Sequence, residues 1–155
     1  MMREEFNKLS SDKAPAKDWF LQFLVNLANR NQFELGITLN VGGFLIAGTL
    51  VGAKRYFEEF GEDFASSFEA GKNPMDIKSF FKKIGEECAC VSNREHTESP
   101  SYIHLKEAMF FTPLGNPMQA NGGVWWRGRI SEVQGFVPGN LFKSPPASAS
   151  KNCKK

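Results

Sequence analysis

The chain has 155 residues, 41% hydrophobic and 13% aromatic, which suits one folded domain with short tails and excludes wholesale disorder. Its 19 lysines and arginines nearly balance 17 acids, and a net charge of +2 argues against a dedicated nucleic-acid binder, whose domains carry a basic excess. Three cysteines make no disulfide framework, no run approaches the ~18 apolar residues of a membrane span, and Met1-Met2-Arg3-Glu4-Glu5 does not read as a secretory signal, so a cytoplasmic protein with reduced thiols is expected.

Residues 1–14 are polar and are expected to be a flexible N-terminus. Pro15 suits a first helical turn, after which Trp19/Phe20, Phe23/Leu24 and Leu27/Ala28 recur at three-to-four spacing and predict an amphipathic helix ending near residues 29–31. The next segment alternates without error. Phe33, Leu35, Ile37, Leu39 and Val41 fall on one face and Glu34, Gly36, Thr38 and Asn40 on the other, the pattern of a half-buried strand. Gly42-Gly43 supplies the positive φ of a tight turn, and residues 44–51 are apolar on both faces, predicting a strand covered on both sides and bent at Gly48.

From Lys54 the period becomes helical, with Phe57, Phe60, Phe64 and Phe68 along one side and Glu58, Glu59, Glu62 and Asp63 opposite. Gly71 and Asn73-Pro74 punctuate. A second helix carries Ile77, Phe80, Phe81, Ile84 and Cys88 inward and Lys78, Lys82 and Lys83 outward, so the two helices are expected to pack as a pair. Residues 92–100 read as a polar loop. A strand over 102–111 places Ile103, Leu105, Met109 and Phe111 on one face and His104 and Lys106 on the other. After a flexible connection over 113–123, a strong strand is expected over 124–133, with Val124, Trp126, Gly128 and Ile130 alternating with Trp125, Arg127, Arg129 and Ser131, and residues 135–137 add a short fifth strand. The expected fold is therefore α+β. An N-terminal helix leads into a small twisted antiparallel sheet or half-open barrel of four or five strands, with a helical pair inserted between strands 2 and 3. Residues 15–142 form the single domain and 143–155 a disordered basic tail.

Few groups offer chemistry. Cys88 and Cys90 with His96 and His104 are the sole metal-like set, but C-x-C is not the paired spacing of a zinc site and a fourth ligand is missing. No nucleophile elbow, phosphate loop or GxGxxG is present, and His96, beside Arg94, Glu95 and Glu98, reads as part of a solvated loop. No catalytic residue, metal or cofactor is assigned, and the chain is expected not to be an enzyme. Trp125, Arg127 and Arg129 project from one side of one strand. That set can anchor a protein interface, stack bases and hold phosphates, or lie under a helix with its arginines paired to the acidic helix face. Fifteen phenylalanines against two tyrosines suit a greasy core or a self-association surface.

Three segments, ITLNVGGFLIAGTLVGAKRYFEEF at 37–60, YIHLKEAMFF at 102–111 and WWRGRISEVQGF at 125–136, resemble the gas vesicle protein U family. That family combines an I-x-L-N-V-x-G strand pair and K-x-Y-F helix with an I-H-L-K strand and a W-R-G-(K/R)-I-x-E-V-x-G-F strand. The resemblance covers about 100 residues in the same order. It implies a cytoplasmic, vesicle-associated, non-enzymatic accessory protein that does not itself form the shell. Such a protein would self-associate, as a homo-oligomer, and contact the vesicle shell or other vesicle proteins to assist assembly or clustering. On the residues, the contacts fall to Trp125, Arg127 and Arg129 on the strand and to Lys151, Lys154 and Lys155 in the tail. A module joined to a flexible tail lets weak contacts add through effective concentration. The alternative from another class is an Sm-like RNA-binding module. No membrane contact is expected.

Overall fold

Asp18 starts the first helix, its carboxylate accepting the Leu21 amide proton at 2.9 Å as an N-cap. The computed structural model describes residues 17–67, 74–92, 99–118 and 122–142. Pro15, Phe68 and the expected flexible segments 1–14 and 143–155 lie outside the described residues. Helix α1 spans Trp19–Asn31 and ends at Gln32, which turns left-handed at φ 50°. Its buried stripe is Leu21, Leu24, Val25 and Ala28. The expected stripe is displaced by one position. Trp19, Phe20 and Phe23 stay 50%, 38% and 53% exposed, because the aliphatic residues have the same three-to-four spacing and fit closer to the sheet than rings would.

Five antiparallel strands make one sheet in the order β4-β3-β2-β1-β5, with β1 Leu35–Val41, β2 Phe44–Val51, β3 Tyr102–Phe111, β4 Val124–Arg129 and β5 Val133–Pro138. Strands β4 and β5 are both edges, so of the two expected forms the open sheet is the one adopted. A single 3-10 turn, Ile130–Glu132, separates β4 from β5 and divides what reads in sequence as one strand to residue 133. Gly42 and Gly43, at φ 60° and 85°, close the β1–β2 hairpin. One face of the sheet carries Ile37, Leu39, Ile46, Leu50, Ile103, Leu105, Ala108 and Ile130, all buried against α1.

A bulge corrects the expected face assignment in β3. Glu107 adopts φ 53°, and the pairing slips between Ala47 and Thr49 on β2 and between Leu105 and Ala108 against β4. Beyond the bulge the parity reverses. Ala108 and Phe110 join Ile103 and Leu105 on the α1 face, while Met109 and Phe111 join His104 and Lys106 on the other. Gly48 sits where the two strands crowd together, since a Cβ there would meet the Lys106 carbonyl oxygen at 3.0 Å.

The second face is covered in two parts. Helices α2 (Ala53–Ser66) and α3 (Pro74–Ser92) form the expected pair. They cross where Gly61 lies under Phe81 and Gly85 lies against the Lys54 carbonyl, positions at which a Cβ would come within 2.5 Å and 2.9 Å of those neighbours. The pair is thus seated by glycines and rings. At the sheet end, Arg55 binds Glu34 and Glu59, and Lys106 reaches Glu34 at 2.9 Å, tying the start of α2 to the sheet; such exposed pairs add little stability.

Residues 139–142 cover the rest of that face as a strap. Thr38, buried in β1, donates to the Gly139 carbonyl at 3.0 Å and accepts from the Leu141 amide at 3.2 Å, and Phe142 stacks on Phe111 with centroids 3.5 Å apart. Thr38→Val keeps the shape but leaves both backbone groups without their partner. The expected loss is about 1–3 kcal/mol, with hydrogen exchange at Leu141 accelerated while the Leu50 amide stays protected.

Candidate functional site

Strand β4 divides its side chains as its alternation predicts. Trp126 turns inward against the core and lies across Gly128, whose missing side chain leaves room for the indole. Trp125, Arg127 and Arg129 share the opposite face, Trp125 half-buried and both arginines exposed. Helix α2 reaches Trp125: the indole Nε1 donates to the Asp63 carboxylate at 2.7 Å, and Tyr56 meets the ring edge-on at 5.6 Å. Trp125 is therefore held by a helix, and its ring is not an open stacking platform.

The arginines are placed differently. Arg127 lays its guanidinium 3.5 Å above the centre of the Tyr102 ring, a cation–π contact with the neighbouring strand. Arg129 stands directly opposite Tyr102 in the pairing register. The two guanidiniums, Arg129 foremost, hold the half-buried Tyr102 phenol below its usual pKa by hydrogen bonding and by charge. Neither arginine forms an ion pair with a carboxylate among the described residues. The strand thus gathers Arg127, Arg129 and Tyr102 into one exposed cationic cluster, with Trp125 beside it but committed to Asp63. Tyr102 was not legible as a member because cross-strand register cannot be read along a single strand. Lys151, Lys154 and Lys155 lie outside the described residues.

His104 lies next to this cluster, paired with Arg127 across the ladder and 5% exposed. Tyr56 and Phe57 cover its ring at 4.7 Å and 5.8 Å, and neither ring nitrogen has a hydrogen-bond partner. Burial first, and the Arg127 charge second, lower its pKa to about 3, so the ring is neutral at ordinary pH. Cys88 on α3 is half-buried; burial chiefly raises its thiol pKa, with Arg127 opposing. Cys90 is exposed, and His96 lies outside the described residues. Among the described residues no three His, Cys, Asp or Glu side chains gather as a metal site, and no helix is long and apolar enough to cross a membrane.

Among the large apolar side chains that reach solvent, which include Phe44 and Phe80, two groups lie near chain edges. Phe20 and Phe23 on α1 adjoin the β5 edge, where Phe20 touches Phe136 and Val137 is 45% exposed. Leu114, Met118 and Leu141 stand out near the Phe111–Phe142 stack at 88%, 56% and 60% exposure. Residues 18–141 match the family model described as gas vesicle protein GvpU-like. No curated protein and no solved structure matches the chain.

Proposed function

Because the chain belongs to the GvpU-like family of gas vesicle proteins, we propose that it is a non-enzymatic accessory protein acting by contact. In this reading it resides in the cytoplasm at the vesicle surface. It binds copies of itself and the vesicle shell or other vesicle proteins, and so assists assembly or gathers vesicles into clusters. Beyond family membership, the observation that supports contact is the exposed cluster of Arg127, Arg129 and Tyr102 on a sheet edge, on the same molecule as apolar side chains presented to solvent on two other surfaces. Trp125 contributes by fixing α2 beside that edge, and Lys151, Lys154 and Lys155 give the C-terminal segment a basic character suited to many weak, salt-screened contacts.

Flotation tests this. Gas vesicles rise under gentle centrifugation, and bound protein rises with them. The full chain is expected in the floating layer and to increase vesicle light scattering; recovery entirely in the infranatant would reject contact as the function. Deleting residues 144–155 is expected to weaken co-flotation severalfold and to reduce its sensitivity to salt. Unchanged clustering would remove the tail from the mechanism.

A further inference from the structure

The exposed edge of β4 has a hydrogen-bonding phase that can be read from one contact. Ile130 N donates to the Ser101 carbonyl at 2.9 Å, which makes residues 101 and 130 a hydrogen-bonded pair. Antiparallel ladders alternate, so Ile103–Gly128 and Leu105–Trp126 are the next such pairs along β3 and β4. Arg127 and Arg129 fall between them. Their backbone N–H and C=O groups consequently point away from β3, toward the side where no strand pairs with β4 among the described residues.

Backbone and side chains therefore converge. The residues that offer free ladder groups are the same two whose guanidiniums have no carboxylate partner among the described residues, about 7 Å apart on one face. A partner strand entering here would form hydrogen-bonded pairs opposite Arg127 and Arg129, and residues directly opposite in such pairs share a face. Resting on the contact function proposed above, we propose that the β4 edge binds an extended acidic segment of another protein as a sixth strand, with carboxylates two residues apart seated on Arg127 and Arg129. Ladder hydrogen bonds supply affinity, and the two charge-assisted forks set the register.

The chemistry of the edge favours this occupant over others. A second copy of the chain is disfavoured, because no two acidic residues stand two apart anywhere in its sequence. Nucleic acid is disfavoured because Trp125 is engaged by Tyr56 and Asp63, the Tyr102 ring is covered by Arg127, and the Asp63 carboxylate adjoins the strand. A free phosphate would use the guanidiniums and leave the ladder groups idle.

The test uses the full chain and a fluorescein-labelled peptide of alternating Glu and Val, followed by anisotropy at moderate salt. The controls are a composition isomer with the glutamates contiguous, a copy N-methylated at alternate residues, and an oligouridylate. The alternating peptide is expected to bind at least about tenfold tighter than either peptide control, and R127Q/R129Q to lose at least about tenfold. R127K/R129K, which keeps charge without the fork, should retain part of the affinity and guards against misfolding of the glutamine variant. Equal binding of the isomers, wild-type affinity in R127Q/R129Q, or tighter binding of the oligouridylate would each overturn the proposal. Flotation separates it from the broader function. A chain that floats with vesicles yet ignores the alternating peptide refutes the edge site alone. A chain that binds the peptide yet never floats keeps the edge site and refutes vesicle contact.

Discussion

Acid should unfold this protein well before its carboxylates alone would, and His104→Leu should remove much of that sensitivity. In the folded state the histidine pKa is depressed to about 3, against 6.5 for an unperturbed histidine. Well above pH 6.5 neither state binds this proton, and the fold keeps its full stability. As pH falls from 6.5 toward 3, the unfolded chain takes up a proton that the folded chain refuses, so stability declines with a slope of about 1.4 kcal/mol per pH unit. Across the window the loss is a few kcal/mol, large for a small domain. The groups facing the ring give it no relief: Arg127 across the ladder repels a second positive charge, and Tyr56 and Phe57 seal it from water. Leucine is of similar size, needs no hydrogen bond and cannot titrate. Urea unfolding at several pH values should show the variant's midpoint flatter than the wild type's between about pH 6.5 and 4. Parallel curves would mean that His104 protonates in place, with water or a shifted helix pair relieving it.

Truncating a buried leucine and truncating a larger, half-exposed ring should differ sharply in their effect on stability. Leu39 is fully buried at the centre of the α1 face, opposite Ile46 on β2 and against Phe136 on β5. Leu39→Ala is expected to cost about 2–5 kcal/mol, because transfer free energy is lost and the space between sheet and helix closes only partly. Phe23→Ala removes a larger side chain yet should change stability by no more than about 0.5 kcal/mol, since that ring is 53% exposed. If Phe23 works at a contact, its variant melts normally but floats poorly. Equal destabilisation by the two would show that the aromatic side of α1 is covered in solution.

The legible part of the fold is the part governed by local periodicity. The error-free alternation of β1, the two-sided apolarity of β2 and the inward–outward split of Trp126 and Trp125 all describe faces that one strand specifies for itself. The helical pair was legible for the same reason. Three features depend on contacts distant in sequence and left no local trace. The bulge at Glu107 exchanges faces between Leu105 and Ala108, so the strand pattern is correct up to it and inverted beyond it. Helix α1 carries two apolar stripes of identical period, and only the shape of the sheet decides which is buried. The orphaned imidazole of His104 follows from where α2 lands. For the candidate site, the arginines were visible in sequence while their arrangement around Tyr102 and the outward phase of their backbone required the register.

Strand β3 also sets a distance. Arg129 stands opposite its first residue, Tyr102, and Phe142 rests on its last, Phe111, so the edge cluster and the point where the C-terminal segment leaves the strap lie at opposite ends of one ten-residue strand, roughly 30 Å apart. A rigid strut of that length keeps the two from competing for the same patch of a target. A molecule engaged through the edge would still hold residue 142 clear of that contact.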